Sequence, residues 1–241
     1  MESVKRLVGV VFAPSETFRR IRERPTWGLI LVVLLLLSGA ANMIVVQRMD
    51  PEAQRAQFRQ RLEKQGFAGD ELDQKTDKAV EVTQRFAPVG VVFGVVLAGA
   101  FYLLIALGLW LGLRLLGGEM TYRQGFSATL HGMIPAAGLK ALVLIPVLLS
   151  VGSLDLKAVQ AGTMLQSNLG FLAPEGASHA LVALLTSVDV FSLWSVVLLI
   201  LGLSVVARVS KGASALMVVG GWVVLVALKV GLVSLSGMFG G

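Results

Sequence analysis

The chain has no cysteine, only two histidines and few charged residues, which make up 15% of its 241 positions. The absence of cysteine excludes disulfides, thiol catalysis and thiolate metal sites, and His131 and His179 are too few for a histidine-based zinc motif. A glycine-rich phosphate loop and a GxSxG nucleophile elbow are also missing. We therefore predict no catalytic residue, no cofactor, no metal and no enzymatic activity.

The scarcity of charge excludes a soluble fold. Soluble domains carry about 25% charged residues, whereas this chain is 55% hydrophobic and contains 27 glycines besides. Nine of its charges fall in residues 1–26 and sixteen in residues 48–85, so only eleven remain for the rest. Intrinsic disorder is excluded because it needs low hydrophobicity. The composition indicates an integral, polytopic membrane protein.

Five apolar runs are long enough to cross the hydrocarbon core of a bilayer, which takes about 20 helical residues. We predict an all-α, single-domain membrane bundle in which the basic segment 1–26 forms interfacial helices. An extracytoplasmic helical hairpin is expected in 48–87, with Asp50 and Pro51 as helix start and Gly66 as stop, and a semi-polar loop, interfacial or re-entrant, in 152–178. The five transmembrane helices are expected at residues 27–47, 88–113, 127–151, 181–207 and 214–236.

The numbers of Lys and Arg residues on the two sides of the membrane are almost equal, so the count alone does not decide the orientation. With the N-terminus inside, the inner segments carry ten basic residues and the outer segments nine. The inner ones lie next to span ends, which favours a cytoplasmic N-terminus and an extracytoplasmic C-terminus. Together with the lack of cysteine this fits a bacterial inner membrane. A cleavable signal in the first apolar run is the rival interpretation of that run.

The net charge of +6 comes partly from four arginines clustered in residues 19–24, just before the first apolar run. Anionic lipid headgroups explain such a cluster better than nucleic acid does, because no basic patch interleaved with aromatic residues occurs elsewhere. We expect the bilayer to be the partner of this segment, and no nucleic acid. Other membrane proteins, or further copies of the chain, are the remaining candidate partners.

Three ionisable residues interrupt the last three spans, namely Lys140, Asp189 and Lys229. A charge in hydrocarbon is costly unless it is paired, so such residues face the bundle interior. Counted at about 1.5 Å per residue, Asp189 and Lys229 lie at compatible depth. The expected pair is Asp189 with Lys229, and Lys140 is the alternative partner. His131 is interpreted as a hydrogen-bonded interior residue, with a proton relay as the alternative.

Glycine and proline mark two further features of the spans. Gly90 with Gly94, and Gly108 with Gly112, form two GxxxG spacings on the second span, for which packing within the bundle is the favoured use. Pro135 lies in the third span near Lys140 and removes a backbone donor there. Residues 135–138 are therefore the expected irregular point in the membrane.

Three segments together resemble the Yip domain (Ypt-interacting protein) family of five-span membrane proteins, in its bacterial branch. They are the N-terminal FAPSETFRRIRERPTW, the turn LLGGEMTYRQGFSATLHGMIP and the stretch DVFSLW, which is followed eight residues later by Gly202. The matching motif residues are Pro14, Phe18, Pro25, Trp27, Pro135, Phe191, Trp194 and Gly202.

The resemblance implies five spans and a cytosolic N-terminus. Eukaryotic members associate with Rab-type GTPases, but this chain lacks their long cytosolic N-terminal region, so that partner is not carried over. The function predicted here is a non-enzymatic membrane protein that organises or adapts other membrane proteins or lipids. The alternative is a small transporter or lipid-moving protein that uses Lys140, Asp189 and Lys229 as a polar path.

Overall fold

The structure is a computed structural model that describes residues 2–154, 158–159 and 162–240. Within these ranges the chain is helical and has no strand, only two isolated bridges, which confirms the all-α prediction. A π-helix covers Ile134–Leu139 and a 3-10 helix covers Leu169–Leu172. The α-helices are α1 (Glu2–Phe12), α2 (Pro14–Glu23), α3 (Gly28–Arg48), α4 (Pro51–Lys64), α5 (Gly69–Leu115), α6 (Tyr122–Gly132), α7 (Lys140–Ser150), α8 (His179–Ser187), α9 (Val190–Ala207) and α10 (Lys211–Gly240).

Four of these helices are long and apolar enough to cross a membrane, namely α3, α5, α9 and α10. The pair made of α6 and the helix from Ile134 to Ser150, bent by 45°, supplies a fifth if it is counted as one span. Two other predicted spans also differ in detail. The span 88–113 is the second part of the 47-residue α5, and the span 181–207 is split into α8 and α9 at Val188 and Asp189. Part of the predicted loop 152–178 (155–157 and 160–161) lies outside the described residues.

The N-terminal helices pack against the bundle. Phe18 and Ile21 of α2 are fully buried, and α2 lies on α9 and α6, so its apolar face meets protein rather than lipid. Proline at its first position and Ala13 as N-cap start this helix. The side chain of Gln124 donates to the carbonyl of Arg22 at 2.7 Å. We call the end of the bundle where α2 lies the N-terminal end.

The predicted hairpin is present and begins as the sequence indicates. Asp50 caps α4 by accepting from the amide of Glu52 at 2.9 Å, and Gly66 has a positive φ of 93° in the turn. The second helix of the hairpin does not stop at the membrane but continues as α5. We use the name hairpin for α4 and residues 69–87 of α5.

Of the four glycines in the two GxxxG spacings on α5, Gly112 packs within the bundle as expected and the other three do not. A side chain at Gly90, Gly94 or Gly108 would meet nothing within 4 Å, whereas a Cβ at Gly112 would overlap the Sδ of Met217 on α10. We expect Gly112→Leu to cost about 1–3 kcal/mol of stability through overpacking and Gly108→Leu to cost far less. Thermal unfolding of the two purified variants in detergent checks this, and equal losses would contradict the α5–α10 contact.

Candidate functional site

Two irregular points of the backbone face each other in the bundle. The first is the π-helix at residues 134–139, where the sequence predicts irregularity around Pro135. The amide of Ala136, displaced from regular helical bonding, donates to the Oγ of Ser195 on α9 at 3.0 Å. The second, which we call the break, is Val188 and Asp189 between α8 and α9. Wherever a helix breaks in an apolar environment, the freed backbone groups need partners from protein or water.

Asp189 supplies the partners on one side of the break. Its carboxylate is the N-cap of α9, with Oδ1 accepting from the amides of Phe191 at 3.0 Å and Ser192 at 3.2 Å. Its Oδ2 accepts from the hydroxyl of Ser167 at 2.5 Å and from the ammonium of Lys140 at 3.1 Å. With a side chain only 1% exposed, the carboxylate is enclosed and each oxygen has two donors. This arrangement favours a fixed carboxylate over a proton carrier.

The ion pair of Asp189 is therefore formed with Lys140, the alternative partner, and the pair with Lys229 expected from depth is not formed. Lys140 is the first residue after the π-helix, and its side chain is 30% exposed. Depth counted along a span assumes a straight helix, and the break and the π-helix both violate that assumption. The pair joins the two irregular points directly, because each residue lies at the end of one of them.

The segment 162–172, which we call the strap, returns from the loop to cover the break. The amide of Val190 donates to the carbonyl of Ser167 at 2.9 Å, and the amide of Leu169 donates to the carbonyl of Val188 at 3.1 Å. Asn168 is buried and holds the turn by donating to the carbonyl of Gly162 at 2.9 Å while its Oδ1 accepts from the amide of Gly170 at 2.9 Å. The strap thus covers the break through backbone hydrogen bonds on both of its sides.

Lys229 lies on the other side of the break. It extends from α10 to the C-terminal turn of α8, where its ammonium donates to Thr186 Oγ1 at 3.2 Å and to Ser187 Oγ at 3.0 Å. A cation is favoured there, because the carbonyl end of a helix carries partial negative charge. Lys229 and Asp189 therefore each stabilise one of the two helix ends at the break.

His131 belongs to a different part of the bundle interior. It is 2% exposed, and its Nδ1 lies 2.8 Å from the carbonyl oxygen of Ser127 in the preceding turn of α6. A carbonyl only accepts, so Nδ1 carries the hydrogen in this contact. The geometry is that of the hydrogen-bonded interior residue. The structure does not join His131 to the Lys140–Asp189 pair by a described hydrogen bond.

The motif residues of the resemblance gather mostly at the N-terminal end. Phe18 packs directly on Gly202 of α9, where an added Cβ would lie 2.5 Å from two ring carbons. Trp27 packs on Phe126 with ring centroids 5.7 Å apart. Pro14 starts α2, and Pro25 follows its end. The remaining motif residues lie nearer the two irregular points, with Pro135 buried in the π-helix, Phe191 half-buried and Trp194 partly exposed on α9.

Sequence reasoning missed the uncharged members of the site. Ser167, Thr186, Ser187 and Ser195 are ordinary hydroxyls in a chain rich in small residues, and nothing in their spacing distinguishes them. Asn168 carries a weak signal, because Asn two residues before Gly is typical of a side chain that folds back on its own backbone. Among the described residues no group of His, Asp and Glu is arranged to hold a metal ion.

Comparison with known proteins gives two matches. The family model of the Yip1 domain matches residues 8–234. The membrane protein YknW of Bacillus subtilis (strain 168) is 29% identical over 239 residues, which cover 98% of this chain and 89% of that protein. No solved structure matches the chain. The match to YknW and the apolar helices together support an integral membrane protein.

Proposed function

The chain belongs to the Yip1-domain family, and from that premise we propose that it is a non-enzymatic membrane adaptor whose hairpin binds other membrane proteins. The proposal places the protein in a bacterial inner membrane, with the N-terminus in the cytoplasm and the hairpin on the opposite side. It further assigns the basic N-terminal end to anionic lipid headgroups, since Arg19 and Arg20 point away from the face that buries Phe18 and Ile21.

The observation that carries the proposal is the length of α5. A helix of 47 residues is about 70 Å long, more than twice the roughly 30 Å of a hydrocarbon core. One end of α5 packs in the bundle through Leu109 and Leu113, while the other end forms the hairpin. The helix continues through Pro88, which removes one of its backbone hydrogen bonds, and its length carries the hairpin well beyond the hydrocarbon core.

The hairpin packs mainly on itself. No residue of α4 is buried, and α4 has its main contacts with α5. Two ion pairs join the helices, Arg55 with Asp77 at 2.9 Å and Arg59 with Asp73 at 3.1 Å, and exposed pairs like these contribute little stability. A two-helix unit with so small a core retains most of its side chains for contact with a partner. Arg61 and Lys64 lie on its exposed surface.

The polar residues at the break support a holding role. Asp189 already uses both oxygens on fixed donors, and Lys140 joins the break to the π-helix. Such a saturated pair suits a residue that sets the register of two irregular spans better than one that passes protons or ions. The alternative function, a small transporter or lipid-moving protein, is favoured by one observation, the presence of two interrupted spans facing each other, which is common in transporters.

The adaptor proposal predicts an effect of the hairpin surface on partner contact. We expect a photo-reactive residue at Gln60, on the exposed surface of α4, to yield a discrete crosslinked product in cells. Arg61→Glu combined with Lys64→Glu should reduce that product several-fold, because both substitutions reverse charge at the proposed contact. The same photo-reactive residue at the exposed Leu104 of α5 is the control and should give no discrete protein product.

The paired substitution Lys140→Met with Asp189→Asn separates the two functions. An adaptor keeps its crosslinked product in this variant, and proteoliposomes containing the wild type show no more ion flux or lipid scrambling than empty ones. Flux that the wild type supports and the paired variant loses would overturn the adaptor proposal in favour of transport.

A further inference from the structure

The ammonium of Lys229 has more N–H donors than the acceptors it contacts. An ammonium has three N–H groups, and the hydroxyls of Thr186 and Ser187 accept two of them. These hydroxyls already donate their own hydrogens to carbonyls of α8, Thr186 to Val182 at 2.8 Å and Ser187 to Ala183 at 2.6 Å. They solvate the ammonium but carry no charge, and no described residue accepts from its third N–H.

The charges around the break do not cancel. Lys140 and Asp189 neutralise each other at 3.1 Å, and no described acidic side chain forms an ion pair with Lys229. The three residues together therefore carry a net charge of +1. Lys229 is exposed, and an exposed cation without a counter-ion at the edge of a bilayer attracts an anion from outside the chain.

The position of Lys229 along α10 indicates where that anion lies. Lys229 is 18 residues from Lys211, which is about 27 Å along the helix and close to the roughly 30 Å thickness of the hydrocarbon core. Basic residues mark the 208–211 turn as one headgroup boundary, so Lys229 lies near the opposite edge of the hydrocarbon core, from where a lysine side chain can reach towards the lipid phosphates. On the bilayer side of Lys229, Val224, Leu225 and Leu228 are exposed apolar residues of α10.

We propose that Lys229, together with Thr186 and Ser187, forms a binding site for an anionic phosphate group at the seam between α8 and α10. The ammonium contacts a phosphate oxygen through its third N–H, and the two hydroxyls hold the ammonium in place. A phospholipid fits the site best, since its acyl chains can lie along the exposed residues of α10. The proposal is independent of the adaptor function.

The test is lipid retention by the purified full-length protein, measured by native mass spectrometry after titration with phosphatidylglycerol or with diacylglycerol, which lacks phosphate. We expect the wild type to retain the phosphate lipid at least about tenfold better, as one charge-assisted hydrogen bond allows. Lys229→Met should retain one phosphate lipid fewer than the wild type, because the basic N-terminal end keeps its own lipids, and Lys229→Arg should retain the wild-type number. Lys211→Met, at the other end of the same helix, is the matched control and should behave like the wild type.

A further arm identifies the source of the phosphate. If millimolar inorganic phosphate displaces the lipid at Lys229 but leaves lipid bound elsewhere on the protein, the site takes free phosphate as well. Retention that inorganic phosphate leaves unchanged assigns the site to the lipid headgroup. Equal retention by Lys229→Met and the wild type, with Lys229→Arg folded normally, would overturn the site.

Discussion

Replacement of Asp189 by alanine is expected to destabilise the protein by about 3–5 kcal/mol, the usual range when one partner of a buried ion pair is removed. The substitution leaves Lys140 without its counter-ion and removes the acceptor of the Ser167 hydroxyl. It also uncaps α9, because the amides of Phe191 and Ser192 lose their partner. The midpoint of unfolding by heat or by SDS, measured on purified protein in detergent, checks this loss.

Two further variants separate the charge of Asp189 from its capping role. Asparagine caps helices as well as aspartate, so Asp189→Asn keeps the backbone contacts of Oδ1. It removes the charge and puts an amide NH2, which cannot accept, where Oδ2 accepts from Lys140 and Ser167. Adding Lys140→Met to Asp189→Asn should recover part of the loss, with a coupling energy of about 1–3 kcal/mol. Lys229→Met in the same background is the matched control and should be additive. A larger coupling with Lys229 than with Lys140 would contradict the pairing in the structure.

The number of spans and the hairpin could be predicted because both depend on local composition. An apolar run of about 20 residues has few alternatives to a transmembrane helix, and Asp50 before Pro51 is a local start signal that needs no tertiary contact. The break at Asp189 was harder to predict. The apolar run continues on both sides of this residue, so the sequence is consistent both with a continuous span containing a charge and with a helix that starts at a capping aspartate.

The partner of Asp189 could not be derived from position along the chain. Depth comparisons assume straight helices with a constant rise, and the π-helix after Met133 changes both the rise and the direction of the third span. What decides the pairing is which side chain the strap and the bend bring within 3.1 Å of the carboxylate. That is a tertiary property, in the same way as the contact of Lys229 with Thr186.

The docking of α2 was also hidden from sequence reasoning. Phe18 and Ile21 form an apolar face that fits a lipid surface as well as a protein surface, and the arginines between them favour either one. The residue that decides between a lipid and a protein surface is distant in sequence. It is Gly202, whose missing side chain leaves room for the Phe18 ring.

Gly202→Ala is expected to detach α2 from the bundle. The added methyl would lie 2.5 Å from two carbons of the Phe18 ring, and the ring is fully buried and cannot bend aside. Overpacking of this kind costs about 1–3 kcal/mol, and the local contact of α2 with α9 is the one that yields. Hydrogen exchange should therefore increase in residues 14–23 and remain unchanged in α10. Gly221→Ala, where a Cβ meets nothing within 4 Å, is the matched control and should show neither effect.

Phe18→Ala tests the same contact from the other side and should cost about 3–5 kcal/mol through the cavity it leaves. The combination of Phe18→Ala with Gly202→Ala should be less destabilised than the sum of the single variants, because the new methyl occupies part of the space that the ring vacates. Additive losses would mean that the ring and the glycine do not share that space.

Because the ring holds α2 on the bundle, either single variant should also free the basic helix to lie on lipid. Binding of α2 to vesicles containing anionic lipid is followed by the blue shift of Trp27 fluorescence, with the other three tryptophans of the chain replaced by phenylalanine. It should rise with hydrogen exchange in both single variants and fall back in the double variant.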